Sequence, residues 1–287
     1  MAVRTAVLPV AGRGTRFLPV TKAVPKEVLP LVDRPCIEYI VAEAVQAGID
    51  RIIFVTAEGK DALVHYFQTH PGLEAYLTDT GKTELLKEVR RVSQMAEVIP
   101  VRQDQALGLG HAVLQAHQAV GNEPFAVMLG DDVIDAQVPA IAQLMQGYTD
   151  GEAVVALMEV PREDTRRYGV CAGEMTAHNR MRVSQMVEKP DPADAPSNFA
   201  IVGRYILPAD IWGMLASTQA GAGGEIQLTD AIAQLATQGR VAGHVFDGDR
   251  FDTGNVIGLV RATLHFALKR PDLAGPLRDV LKEFEGR

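Results

Sequence analysis

Short β-forming apolar runs alternate with stretches of helical periodicity through the first half of the chain, and this alternation restricts the fold more than any other feature. The runs at 5–10, 51–56 (RIIFVT), 97–103 and 124–129 read as strands. Between them, Ile37, Ile40, Val41, Ala44 and Val45 fall on one face of a helix predicted over 35–47. Pro35 suits its first turn and Gly48 the position just past its end. A second helix is predicted over 111–120, behind Gly108 and Gly110. Strands alternating with helices predict an α/β fold with a mostly parallel central sheet and helices on both faces. Ligands of such sheets bind beyond the carboxyl ends of the strands. The second half is richer in strands, at 153–160, 182–187 and 199–207, followed by helices at 225–238 and 255–268. The charged segment 71–96 reads as a helical insertion.

The 287 residues are 47% hydrophobic, enough to bury a large core, and no linker-like run divides them. Acidic residues outnumber basic ones, 36 to 28. That balance argues against non-specific nucleic-acid binding, which needs a basic face. It leaves an anionic small molecule open, because such a ligand responds to the local field. Cys36 and Cys171 are far apart and match no metal spacing, so two reduced thiols in a cytoplasmic protein are expected. The first residues lack a signal-peptide pattern, and no apolar run is long enough to span a bilayer.

The loop after the first strand carries the strongest chemical signal. Ala11-Gly12-Arg13-Gly14-Thr15-Arg16 is followed by Lys22 and Lys26, with only Glu27 in opposition. Glycines let backbone N–H groups approach a phosphate, and the cations add charge. Such charges are often a solvated face, but here they sit in a Gly/Pro-rich loop after a buried strand. The loop lacks the Gly-Lys-Ser/Thr of a P-loop, and Phe17 stands where a dinucleotide fingerprint needs its third glycine. Pro19, Pro25 and Pro30 exclude a regular helix here and predict an extended, stiffened loop. Arg16 and Lys26 are expected to face solvent.

The segment GRGTRFLPVTKAVPKEVLPLVDRP resembles the signature of the sugar-1-phosphate nucleotidylyltransferases, nearest to the bacterial UTP–glucose-1-phosphate uridylyltransferases. Ordered matches continue through Gln103, Gly108 to Ala112, Leu129 to Asp132, Tyr168 to Val170, Val187 to Pro190, Ala200 to Tyr205, Gly224 to Asp230 and Phe251 to Gly254. The resemblance covers nearly the whole chain. It implies a Rossmann-like, GT-A-type fold in one domain over 1–287. Residues 1–135 would mainly bind nucleotide, 136–255 would mainly bind sugar, and 256–287 would form C-terminal helices. The implied reaction is attack of glucose 1-phosphate on the α-phosphorus of UTP, giving UDP-glucose and pyrophosphate. The nucleophile is already an anion, so catalysis reduces to alignment and charge neutralisation. No Ser/His/Asp or Cys/His constellation competes with this reading.

By resemblance, Gly12, Gly14, Thr15, Arg16 and Lys26 hold the triphosphate, with Arg16 and Lys26 neutralising the departing pyrophosphate. The uracil is placed against Ala11, Gly12, Gln103 and Gly108. On residues alone, Gln103 is equally an ordinary polar strand end. Asp131 and Asp252 are the implied Mg²⁺ ligands, and one or two carboxylates with phosphates and water suffice for this ion. Gly169, Glu188, Lys189, Gly203 and Glu225 are implied at the sugar, with Lys189 on its phosphate and the glycines allowing close approach. His111 lies in the implied base loop, where packing is its expected job. Asp132 and Asp247-Gly248-Asp249 read as turns. A homo-oligomer is expected, with neither nucleic acid nor membrane as partner. By resemblance, Gly130 and Thr253 lean toward a dTTP-using thymidylyltransferase, while Phe17-Leu18-Pro19, Pro25-Lys26-Glu27 and Gly110-His111 lean toward UTP and are more numerous. A glycosyltransferase would not need the basic loop, and a non-catalytic regulatory homologue would have lost Arg16, Lys26 or Asp131.

Overall fold

The structure, a computed structural model, describes residues 2–177 and 179–284. The last three residues of the expected C-terminal segment 256–287 therefore lie outside the described residues. The strands, in chain order, are β1 (Thr5–Pro9), β2 (Pro30–Leu31), β3 (Arg34–Pro35), β4 (Arg51–Thr56), β5 (Glu97–Arg102), β6 (Phe125–Met128) and β7 (Asp132–Asp135). They continue with β8 (Ala153–Glu159), β9 (Gly169–Ala177), β10 (Arg180–Glu188), β11 (Phe199–Leu207), β12 (Val241–Val245) and β13 (Asp249–Asp252). Nine form one sheet, in the order β5-β4-β1-β6-β11-β8-β12-β10-β9. The expected parallel arrangement holds from β5 to β6, and β8 and β12 also pair parallel. β10 and β11 run against their neighbours. A short β9–β11 pairing closes β11, β8, β12, β10 and β9 into a ring.

Strand alternation buries both faces of the sheet. Ile52 and Phe54 of β4 enter one core with Ile37, Ile40 and Val41 of the helix Cys36–Gln46. Ile53 and Val55 enter the opposite core with Val113, Ile232 and Leu235. Successive side chains of a strand point to opposite faces, so a β-run apolar at every position is fully used only when helices cover both. Cys36 and Cys171 are buried in these cores, and burial pushes each thiol up to about 12. No helix of the described residues is long and apolar enough to cross a membrane.

Several elements depart from expectation. The predicted helix 111–120 starts at Leu109 and is broken at Ala116 into Leu109–Gln115 and His117–Val120. The helix expected from Glu225 begins only at Leu228, because 225–227 are extended against the loop before Leu109: Ile226 N–H donates to Leu107 O and Gly110 N–H to Ile226 O. The insertion 71–96 holds two packed helices, Pro71–Asp79 and Thr83–Ser93. The basic loop is not simply extended. It folds into three 3-10 turns, Thr15–Phe17, Val20–Lys22 and Lys26–Val28.

Candidate active site

The carboxyl ends of β1, β4, β5 and β6 lie along one edge of the parallel sheet, and the loops leaving them build the site. Phe17 is buried and anchors the first 3-10 turn, while Arg16 stays exposed. Gly14 sits at φ 64°, in the left-handed region that favours glycine, and its carbonyl accepts the Thr21 hydroxyl. Glu27 acts on Lys26 by its charge, as expected, but its direct partner lies outside the loop. It is buried and accepts from Lys60 Nζ at 3.0 and 2.9 Å, and Lys60 also donates to Val10 O. This pair clamps the loop to the end of β1.

Lys26 is not solvent-facing as expected. Its Nζ lies 2.5 Å from Asp131 Oδ2, the carboxylate that follows β6. Burial acts to lower the Lys26 ammonium, but the charges of Asp131 and Glu27 with the Asp131 hydrogen bond together hold the group above its ordinary value. Burial likewise acts to raise the Asp131 carboxyl, and the Lys26 charge with its hydrogen bond overcomes this and holds it low. Arg16 is exposed, as the sequence suggested.

Asp252 reaches Asp131 through a small ribbon in which β7 pairs with β13, Asp132 opposite Asp252. Thr253 then donates its N–H and its hydroxyl to Asp131 O, at 2.8 and 2.9 Å. A Cβ built on Gly254 would lie 2.6 Å from Asp131 Oδ2 and 3.0 Å from Asp252 Oδ1. Two hard carboxylate oxygens therefore share a hollow that only glycine leaves open, a donor set suited to Mg²⁺. Arg167 Nη2 lies 3.4 Å from Asp252 Oδ2. A further group, Asp135, Asp249 and His265, brings its ligand atoms within 4.8 Å at the other end of the ribbon. There Lys269 already bonds both oxygens of Asp135, so no cation is required.

Asp132 is more than a turn. It is buried, pairs with Arg250 and accepts the Gly203 N–H at 3.0 Å. Beneath it, fully buried Arg204 binds Glu43 with 3.0 and 2.7 Å contacts and donates to the carbonyls of Gly203 and Asp132. Glycine at 203 is explained by this packing: a Cβ there would meet Asp132 Oδ2 at 2.5 Å. A Cβ at Gly169 would meet Thr229 Oγ1 at 2.8 Å and Glu188 Oε2 at 3.0 Å.

Two cavities open on this edge. One, of about 250 Å³, is lined by Ala11, Gly12, Gln103, Gly108, Leu109 and Glu225. The other, of about 500 Å³, is lined by Arg16, Asp131, Gly169, Glu188, Lys189, Gly203, Glu225 and Asp252, with Leu109 shared. Leu109 and Glu225 line both. Gly14 and Thr15 line neither, and Lys26 meets Asp131 without joining either lining. Lys189 is held at φ 47°, a left-handed conformation rare for a non-glycine residue and costly before proline. Thr229 Oγ1 fixes Glu188 Oε2 at 2.6 Å. The sequence reading assigned no role to Arg167, Tyr168 or Arg250, which line the larger cavity. The Arg166-Arg167-Tyr168 run was the available signal. A roomier hollow of about 600 Å³ lies by Arg13, Lys22 and Arg102, but it contains none of Asp131, Lys189 and Asp252.

A sheet of this topology with two adjoining cavities beside a Lys–Asp–Asp centre defines a class of nucleotide-handling enzymes. The family model described as nucleotidyl transferase matches residues 5–268, and the chain belongs to that family. It is 46% identical over 284 residues to a UTP–glucose-1-phosphate uridylyltransferase of Staphylococcus epidermidis, covering 99% of both chains. It is similar to a solved UDP-glucose pyrophosphorylase complexed with UDP-glucose, with TM-score 0.85 and 40% identity over 94% of this chain and 100% of that one. A UTP-bound UGPase from Acinetobacter baumannii has TM-score 0.90 and 39% identity, with both chains fully covered.

Proposed function

We propose that this chain transfers a uridylyl group from UTP to α-D-glucose 1-phosphate, giving UDP-glucose and pyrophosphate. The observation that carries this reading is the Lys26–Asp131–Asp252 centre beside two adjoining cavities. Whole-length similarity to uridylyltransferases supports it. In this reading residues 1–135 mainly hold the nucleotide and 136–255 mainly hold the sugar, and the helices Val256–Lys269 and Pro271–Lys282 follow them.

Ala11, Gly12, Gln103 and Gly108 receive the base. Gly12, Gly14, Thr15, Arg16 and Lys26 face the triphosphate. Gly169, Glu188, Gly203 and Glu225 surround the sugar, and Lys189 holds its phosphate. That phosphate oxygen attacks the α-phosphorus in line, and pyrophosphate leaves toward Arg16 and Lys26, which neutralise it. Asp131 and Asp252 would hold Mg²⁺, which supplies charge neutralisation at the phosphates. The same reading includes a cytoplasmic homo-oligomer acting on small molecules, with neither nucleic acid nor membrane as partner.

Pyrophosphate release with Mg²⁺, each nucleoside triphosphate and each hexose 1-phosphate tests this. UTP with glucose 1-phosphate is expected to be fastest. Preference for dTTP would overturn the uridylyl assignment, and no release with any pair would overturn the reaction.

A further inference from the structure

We propose that His111 is a positioning residue that fixes the Gln103 amide so that the cavity offers an acceptor, not a donor, to the base. The inference rests on the nucleotide reading above and concerns how the pyrimidine is selected.

Gln103 follows β5 and is buried, with its backbone N–H donating to Thr56 O. Its Nε2 lies 3.4 Å from Gly108 O and 2.9 Å from His111 Nδ1. A backbone carbonyl can only accept, so the atom facing it is the amide nitrogen. The second N–H of that amide points at His111 Nδ1, which must then accept. A ring that accepts at Nδ1 carries its N–H on Nε2. Gln115 Nε2 lies 3.2 Å from that nitrogen, donor against donor, so the Gln115 amide must turn its oxygen to it for the chain of hydrogen bonds to close. Proton positions along Gln115, His111 and Gln103 form one consistent set.

Rotating the Gln103 amide by half a turn would set its oxygen against the Gly108 carbonyl and against an acceptor nitrogen. The Gly108 carbonyl, which can only accept, sets the direction of the amide, and the shorter His111 contact holds it there. Gln103 Oε1 is left with no donor among the described residues, beside Ala11 and Gly12 in the cavity wall. His111 lines neither cavity. An acceptor at this point pairs with the ring N3–H of uracil or thymine. It opposes the N3 lone pair of cytosine. His111 thus sets pyrimidine choice without touching the base, a role beyond the packing expected of it.

The test is the ratio of kcat/KM for UTP over CTP in wild type, His111→Leu and His111→Asn. Leucine removes the acceptor, so the ratio should fall by roughly ten- to a hundredfold, mainly through KM for UTP. Asparagine offers an amide oxygen and should keep most of the ratio. A folded His111→Leu that loses thermal stability but keeps the wild-type ratio overturns the proposal. If leucine prevents folding, His111→Lys takes its place: it presents only donors, and a ratio equal to that of His111→Asn overturns the idea. Wild type that turns over no UTP with glucose 1-phosphate would sink the functional reading instead. Calorimetric binding of UTP against CTP to the same variants then still decides the role of His111.

Discussion

Lys26 Nζ and Asp131 Oδ2, 105 positions apart in sequence, meet at 2.5 Å where the basic loop crosses the end of β6. In the proposed reaction each would take a different partner, Lys26 phosphate and Asp131 Mg²⁺. Without substrate they neutralise one another, which keeps a part-buried cation and a part-buried anion from standing alone. Nucleotide binding then exchanges one ion pair for two others.

This pairing separates two loop cations that look equivalent in sequence. Lys26→Ala leaves the Asp131 carboxylate without its partner and should cost about 1–3 kcal/mol of stability. Arg16→Ala removes an exposed side chain and should stay within about 0.5 kcal/mol. Both should lower kcat by about a hundredfold or more. Urea midpoints and steady-state kinetics on the two variants check this, and equal stability of the two would contradict the pairing.

Asp131 and Asp252 share the hollow at Gly254, yet Asp131 is engaged by Lys26 and Asp252 Oδ1 by the Gly254 N–H at 3.0 Å. Mg²⁺ should therefore bind weakly to the free protein and well once UTP supplies phosphate oxygens. Asp131→Asn should abolish most activity, and Asp252→Asn should reduce it less. Calorimetry with and without UTP measures the first point, and full turnover in excess chelator would refute the metal site.

Acid should weaken the fold through the same pair. The Asp131 carboxyl is held below its ordinary value, so its stabilisation is complete above the unfolded carboxylate pKa, about 3.9. It is lost as pH falls from there through the lower folded value. Wild type should lose more of its Tm between pH 5 and pH 3, values set by about that pKa, than Asp131→Asn does. Parallel losses in the two proteins would argue against the shift.

Behind the site, Glu43 is the one carboxylate among the described residues bonded to fully buried Arg204, and it also accepts the Ile141 N–H at 3.0 Å. Glu43→Ala would strand the guanidinium in the core, at a cost of about 3–5 kcal/mol. Because Arg204 also ties the carbonyls of Gly203 and Asp132, the variant should raise KM for the sugar phosphate. Denaturant unfolding and kinetics together check both effects.

The sequence by itself determined the elements whose signal is local. Arg51–Thr56 is apolar enough to read as a strand whatever surrounds it, and the glycines and cations from Gly12 to Lys26 announce an anion site through backbone freedom and charge alone. β9 escaped because most of it beyond Cys171 is exposed and has no apolar alternation to betray it. β7 and β13 are four-residue, acid-rich strands that read locally as turns. Only the tertiary structure decided that Lys26 is paired, that Glu27 is neutralised by Lys60 and that Asp252 stands beside Asp131. Each of those facts depends on which strand ends a sheet sets side by side, and on register. Periodicity and turn chemistry act within a few residues, whereas electrostatic partnership is fixed by distances that close only when the whole sheet has formed.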